Sequence, residues 1–307
     1  MRSVEVEFDV TSLGPFTQPQ HVSGTLLAPD EVTAGQPVEL LFCLAGGGYT
    51  RTYYHPNFPG KADYSFAEYF TKKGYFVLAV DHLGMGKSSK PDPESQMSRA
   101  IAAAANEHAL QQTLAGLRAG QWLGLSPIAD ITVTGFGHSM GGMMAITQQG
   151  KFHSFDRLVV MGWTNIGLQL LDVDPADLAE ATKVSGYLSS PRAGMRTFFY
   201  TPDVPQDVIE LDEAAGTFSP ACMGRDALVP EIVAAEARAT TSPVFLIYSE
   251  IDVSPEPLRE ATYFTAANDV TVLTLPNTAH IHNFAPIRFT LWNRLDSWMR
   301  SLPIRQA

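Results

Sequence analysis

Cysteine is scarce in this chain: two residues, Cys43 and Cys222, among 307. Two cannot build a disulfide framework, and no cluster has metal-ligand spacing, so neither cross-links nor a metal is expected to organise the fold. Long apolar runs are missing as well. No stretch approaches the roughly 18 residues that a membrane span requires. The opening segment MRSVEVEFDV alternates apolar and charged residues like a strand and lacks the apolar centre of a secretion signal. Positive charge is in deficit, with 21 Lys and Arg against 32 Asp and Glu and a formal net charge of -11. That balance repels phosphate backbones and anionic lipid, so nucleic acid and membranes are not expected partners. The expectation is a cytoplasmic protein with reduced thiols and a neutral or cationic small-molecule partner. Self-association is left open.

What is present suits a sizeable core: 45% of residues are apolar and 17% charged. Short β-branched and apolar runs predict strands at Val4–Val10, Val22–Leu27, Val38–Leu44, Tyr75–Val80, Ile131–Phe136, Leu158–Gly162, Val244–Tyr248 and Val270–Leu275. The first two read as antiparallel edge strands. The later ones are nearly continuous apolar runs, as parallel strands covered on both faces are. Helical stretches lie between them at Tyr64–Lys73, Arg99–Gly120, Met140–Gln149, Pro257–Ala267 and Pro286–Leu302. Strands alternating with helices predict an α/β protein with a mainly parallel sheet. From Thr164 to Thr241 the alternation stops. That stretch offers no good strand, several prolines, and helical patches at Asp177–Ser185 and Pro230–Arg238. It is too long for a connection and reads as an insertion folded over the sheet.

Gly137-His138-Ser139-Met140-Gly141 sits between the strand ITVTGF and the helix MGGMMAITQQG. A nucleophilic serine needs a sharp strand-to-helix turn that projects its hydroxyl above the sheet, and small residues two before and two after it avoid clashes there. The helix then aims its first amides at the reacting oxygen, the Met140 N–H among them. Leu44-Ala45-Gly46-Gly47-Gly48-Tyr49 follows the third strand, where the N–H of Gly47 or Gly48 could meet the same oxygen. A phosphate loop is excluded, because no Gly-Lys-Ser/Thr follows Gly48 and the GKS at 86–88 lacks the upstream spacing.

With these motifs and Asp81-His82-Leu83-Gly84-Met85-Gly86-Lys87-Ser88-Ser89, the chain resembles the α/β-hydrolase superfamily over most of residues 20–163 and 242–300. Ala45 departs from it, since the oxyanion loop of that superfamily usually opens His-Gly. The resemblance implies a mostly parallel eight-stranded sheet flanked by helices, with a core of residues 1–163 and 242–307 and a mainly helical cap at 164–241. It also implies an acid and a base in the order Ser, Asp, His. Asp252, just past the strand Val244–Tyr248, is the expected acid, with Glu250 as its rival; the strand ending Met161-Gly162-Trp163-Thr164-Asn165 carries no carboxylate. His280 in LPNTAHIHNF is the expected base. His282 is its competitor or a residue of the entrance, and His138 and His82 are expected to be structural. Tyr49, Trp163, Tyr187, Phe198 and Phe199, with Tyr53 and Tyr54, are candidate walls for a bulky apolar group.

The activity implied is hydrolysis of a small-molecule carboxylic ester or lactone through an acyl-enzyme on Ser139, without a cofactor. A carbon–carbon hydrolase of β-diketone type and a ligand receptor on the same scaffold are the alternatives.

Overall fold

The computed structural model describes residues 1–168, 180, 183, 185–189 and 192–302. All eight expected strands form, and they join one sheet in the order β1-β2-β4-β3-β5-β6-β9-β10. These are β1 (Arg2–Asp9), β2 (His21–Ala28), β3 (Val38–Leu44), β4 (Phe76–Val80), β5 (Ile131–His138), β6 (Arg157–Met161), β9 (Val244–Ile251) and β10 (Val270–Ala279). β1 pairs with β2 and β2 with β4 antiparallel; every other pairing is parallel.

Side chains along the central strands feed two apolar layers in strict alternation. Leu40, Phe42 and Leu44 of β3 join the layer that holds helices α2 (Arg99–Arg118) and α3 (Met140–Phe152). Leu41, Cys43 and Ala45 join the opposite layer, with helix α1 (Phe66–Lys72) and the C-terminal helix Arg288–Ser301. Leu158 and Val160 of β6 face the first layer, and Val159 and Met161 the second. Both faces are therefore dry, which is why these strands read as continuous apolar runs. Cys43 is a fully buried small hydrophobe.

Some boundaries differ from the sequence reading. β10 continues past Pro276 and Asn277, because its register with β9 shifts between Leu275 and Ala279 and lets the strand resume. The helix expected at 257–267 stops at Glu260 and gives way to a 3-10 turn, Ala261–Tyr263. Glu260 is buried there and accepts from Thr164 Oγ1, from Asn165 N at 2.9 Å and from Ser254 Oγ at 2.8 Å.

Between β6 and β9 lies a short antiparallel ribbon, β7 (Tyr187–Ser189) with β8 (Phe218–Pro220), where no strand was expected. Three residues per strand are too few to show a period of two. The described helices of this stretch are Arg196–Phe199, Gln206–Ala214, Ala221–Ala227 and Ala234–Ala239. The last replaces the patch expected at 230–238, and the patch at 177–185 falls mostly outside the described residues.

Phe66 at the start of α1 ties the layers together. Its ring lies 4.4 Å from Phe70, 5.3 Å from Phe136 of β5 and 6.0 Å from Trp292 of the C-terminal helix, centroid to centroid. Phe66→Ala removes a fully buried ring from a three-element junction and is expected to cost about 3–5 kcal/mol. Urea unfolding at neutral pH reads this directly. A loss under about 1 kcal/mol would mean that the junction repacks.

Candidate active site

Ser139 stands alone between β5 and α3 with φ 55° and ψ -123°, a conformation that a residue with a Cβ adopts only under constraint. The constraint is backbone. Ser139 N donates to Met161 O at 2.8 Å, and Gly142 N donates to Ser139 O at 2.7 Å. The flanking glycines are required by contact: a Cβ on Gly137 would lie 2.3 Å from Gly141 O, and one on Gly141 would lie 2.1 Å from Leu44 O. The turn is thus pressed against the end of β3, and the loop leaving β3 passes over the serine. A Cβ on Gly46 would come within 3.0 Å of Ser139 Cβ.

Gly47 follows, next to Met140. Among the described residues, the amides of Gly47 and Met140 have no hydrogen-bond acceptor in the protein. Gly48 differs, because its N–H donates to Ser219 Oγ at 2.7 Å. Of the two glycines singled out in the sequence, Gly47 keeps its donor free and Gly48 does not. His82 supports the loop from below: its Nε2 donates to Ala45 O at 3.0 Å, and its Nδ1 accepts from Asn106 at 3.1 Å. Burial lowers the pKa of His82, in keeping with a neutral ring in this chain of bonds.

Asp252 follows β9 and His280 follows β10, one strand further toward the edge. His280 Nδ1 and Asp252 Oδ1 are 2.7 Å apart. The carboxylate also accepts from Val253 N at 2.8 Å and, through Oδ2, from Ser249 N at 2.7 Å. Gly162, at φ 60°, makes room for the pair, since a Cβ there would lie 2.9 Å from His280 Cε1 and 3.0 Å from Asp252 Oδ1. Glu250 points elsewhere and accepts from Asn277 N at 2.8 Å. His282 does not sit at an entrance. It is fully buried, with Nε2 3.3 Å from Asp252 Oδ2, so the carboxylate lies between two imidazoles. His138 is buried, and its Nε2 donates to His280 O at 2.8 Å.

The electrostatics follow from this packing. Burial by itself would raise the Asp252 carboxyl, but the hydrogen-bonded His280 imidazole and the His282 imidazole close beside it hold it well below the usual carboxylate range. His138 is pushed well below the ordinary histidine value by burial first and by its neighbours His280 and His282 second.

Ser139, His280, Gly47 and Met140 all border one cavity of about 260 Å³. Tyr49, Trp163, Phe198 and Phe199 line it too. Phe198 stacks on the His280 ring at 4.9 Å. Tyr187 does not contribute: its hydroxyl donates to Pro91 O at 2.8 Å, while its strand neighbour Leu188 faces the cavity. Tyr53 and Tyr54 are buried beneath the loop, where the Tyr54 hydroxyl donates to Leu44 O at 3.1 Å. Leu168, Met195 and Val253 complete the wall without any signal in sequence beyond being apolar.

A family model described as "Alpha/beta hydrolase family" matches residues 41–290. The chain belongs to the alpha/beta hydrolase family. No curated protein sequence matches this hydrolase. Among solved structures it resembles a thermostable carboxyl esterase from Bacillus coagulans, with 17% identity, TM-score 0.67, and 98% of this chain and 99% of that one covered. A soluble variant of monoglyceride lipase from Saccharomyces cerevisiae aligns at 14% identity and TM-score 0.66 over 92% of each chain. An N-acyl homoserine lactonase, AidH, complexed with N-hexanoyl homoserine, aligns at 16% identity and TM-score 0.60 over 99% of each. At such identities the likeness is one of fold. Among the described residues of this hydrolase, no helix is long and apolar enough to cross a membrane.

The depressed ionisation of Asp252 predicts a pH dependence. An unfolded aspartate titrates near about 3.9, so the stability this group contributes is complete above about pH 4 and is lost as pH falls further. Urea titrations of the native protein and Asp252→Asn are expected to show their widest stability gap near neutrality, shrinking below about pH 4. A gap constant down to about pH 3 would mean that the carboxylate is not held in this way.

Proposed function

We propose that the protein is a serine hydrolase that cleaves a carboxylic ester or lactone of a bulky apolar small molecule through an acyl-enzyme on Ser139. The observation that carries the reading is convergence on one cavity. A serine in a constrained turn, two amides without acceptors and an imidazole held by a buried carboxylate border the same space. In this reading the described residues of 164–241 are the cap over this site, and those of 1–163 and 242–307 the core.

In this mechanism the Ser139 Oγ–H gives its proton to His280 Nε2 as the oxygen attacks the substrate carbonyl carbon. Nδ1 already donates to Asp252, which sets the tautomer and stabilises the imidazolium that forms. The carbonyl oxygen becomes an oxyanion and is met by the N–H groups of Gly47 and Met140. Collapse breaks the bond to the leaving alkoxide, which takes the proton from His280. Water then adds to the acyl carbon with His280 as base, releasing the acid and restoring Ser139.

The walls support an apolar acyl group. Trp163, Leu168, Leu188, Met195, Phe198 and Val253 present carbon, and the Tyr49 hydroxyl is occupied by Asp212 at 2.7 Å. Among the described residues, no lysine or arginine lines the cavity to receive a substrate carboxylate or phosphate. Uncharged esters and lactones with an aliphatic or aromatic acyl chain fit such a surface.

The test is turnover of short-chain p-nitrophenyl esters, followed by aliphatic lactones. Multiple turnovers are expected from the native protein, with Ser139→Ala and His280→Ala each losing roughly a millionfold in kcat. Activity that survives Ser139→Ala would remove the acyl-enzyme. A single turnover with retained product would replace the enzyme reading with a ligand receptor.

A further inference from the structure

The loop that carries the Gly47 donor is gripped from two sides, and the second grip comes from outside the sheet. On the core side, Ala45 O accepts from His82 and Leu44 O from Tyr54. On the other side, every polar group of Gly48 is bound by the segment between β6 and β9. Gly48 N donates to Ser219 Oγ at 2.7 Å. Gly48 O accepts from Arg192 Nη2 at 2.6 Å and from Thr217 N at 3.1 Å. Gly48 has φ 70°, so this peptide occupies a left-handed conformation that its own chain does not favour over others.

The next residue is held by the same segment. Tyr49 OH donates to Asp212 Oδ2 at 2.7 Å, and the Arg192 guanidinium stacks 3.6 Å from the centre of the Tyr49 ring. Arg192 and Asp212 bind each other at 2.7 Å, and each side chain is 3% exposed. Tyr200 OH donates to the same carboxylate. A buried ion pair seldom adds much net stability, because desolvation offsets its attraction. What it supplies here is geometry: one fork-shaped cation joins Asp212, the Gly48 carbonyl and the Tyr49 ring.

We infer that Ser219, Arg192 and Asp212 are positioning residues that aim the Gly47 amide by clamping Gly48 and Tyr49, so that the donor site for the oxyanion is completed by the segment over the sheet and not by the sheet itself. The inference rests on the serine-hydrolase reading and goes further, naming residues that touch no reacting atom. Gly47 lies between the two grips, and a Cβ on it would be 3.7 Å from Met140 Sδ and 3.9 Å from Ser219 Oγ. Loss of the Ser219 hydroxyl leaves Gly48 N without its acceptor and frees the peptide that follows Gly47. Such a loss weakens the transition state more than the bound ester, because the donor matters most once charge develops on oxygen.

The experiment compares the native protein with Ser219→Ala, Ser219→Thr, Arg192→Lys and Ser139→Ala on one p-nitrophenyl ester. A phenyl- or alkylboronic acid serves as the tetrahedral analogue and the product carboxylate as a ground-state ligand. Removing an oxyanion donor outright costs about 100- to 1,000-fold, so a misaimed one is expected to cost about 10- to 100-fold in kcat. For Ser219→Ala and Arg192→Lys, that loss is expected with KM within about twofold and boronate affinity weakened by a similar factor. Product affinity stays level, and Ser219→Thr, which keeps the hydroxyl, returns kcat to within about threefold.

A Ser219→Ala protein with native kcat and native boronate affinity overturns the clamp. So does a fall in kcat with boronate affinity unchanged, since that is a loss of folded protein or of packing. Turnover by Ser139→Ala marks a different failure, that of the serine-hydrolase reading itself.

Discussion

The approach of the serine turn to the end of β3 is the contact on which the site depends. Gly141 lies so near Leu44 O that a single added carbon would fall 2.1 Å from it. That closeness forces Ser139 out of the strand before α3 can begin, and it brings the loop from β3 across the serine. Two donors therefore converge from separate strand ends: Met140 N from the start of a helix and Gly47 N from a loop. Parallel pairing makes this possible, because β3 ends at Leu44 beside Gly137, one residue before β5 ends. Ligand sites at the carboxyl ends of parallel strands arise from this geometry in open α/β sheets generally.

Asp252 and His280 use the same edge with a different device. Asp252 follows β9 directly, but His280 comes after a strand whose register has slipped between Leu275 and Ala279. The slip and the backbone bonds of His280 N and Ile281 N to Phe198 O and Phe199 O, each 3.1 Å, set where the imidazole stands. Asp252 is then enclosed by two histidines and two backbone amides. Its ionised form is stabilised by the groups it orients, which keeps a negative charge available in an apolar setting. The His138 ring, whose charged form burial disfavours, ties the serine turn to the His280 carbonyl.

Local features made Ser139, Met140 and the Gly47–Gly48 pair legible, since a strand, a glycine-flanked turn and a helix are contiguous in sequence, as are the third strand and its glycine loop. Asp252 and His280 were legible through their order after particular strands. Less visible were features that need two distant segments. The turning away of Tyr187 and the reach of Leu188 into the cavity depend on alternation along a strand too short to show a period, and His282 is buried in a 3-10 turn beyond the end of β10. Arg192, Asp212 and Ser219 carry no local signal, lying in a stretch with no recognisable pattern. Their importance appears only once Gly48 is seen to have no partner in the sheet.

The sequence by itself determined the alternation of strands and helices, the mainly parallel sheet and the serine turn, because each rests on periodicity or on steric limits between near neighbours. Tertiary structure decided which glycine keeps a free amide, which oxygen of Asp252 meets which histidine, and which aromatic rings face the cavity. Those outcomes turn on distances of a few tenths of an ångström between residues more than a hundred positions apart, as between Gly48 and Ser219. No local pattern encodes such separations; they follow from how the insertion between β6 and β9 packs against the loop after β3.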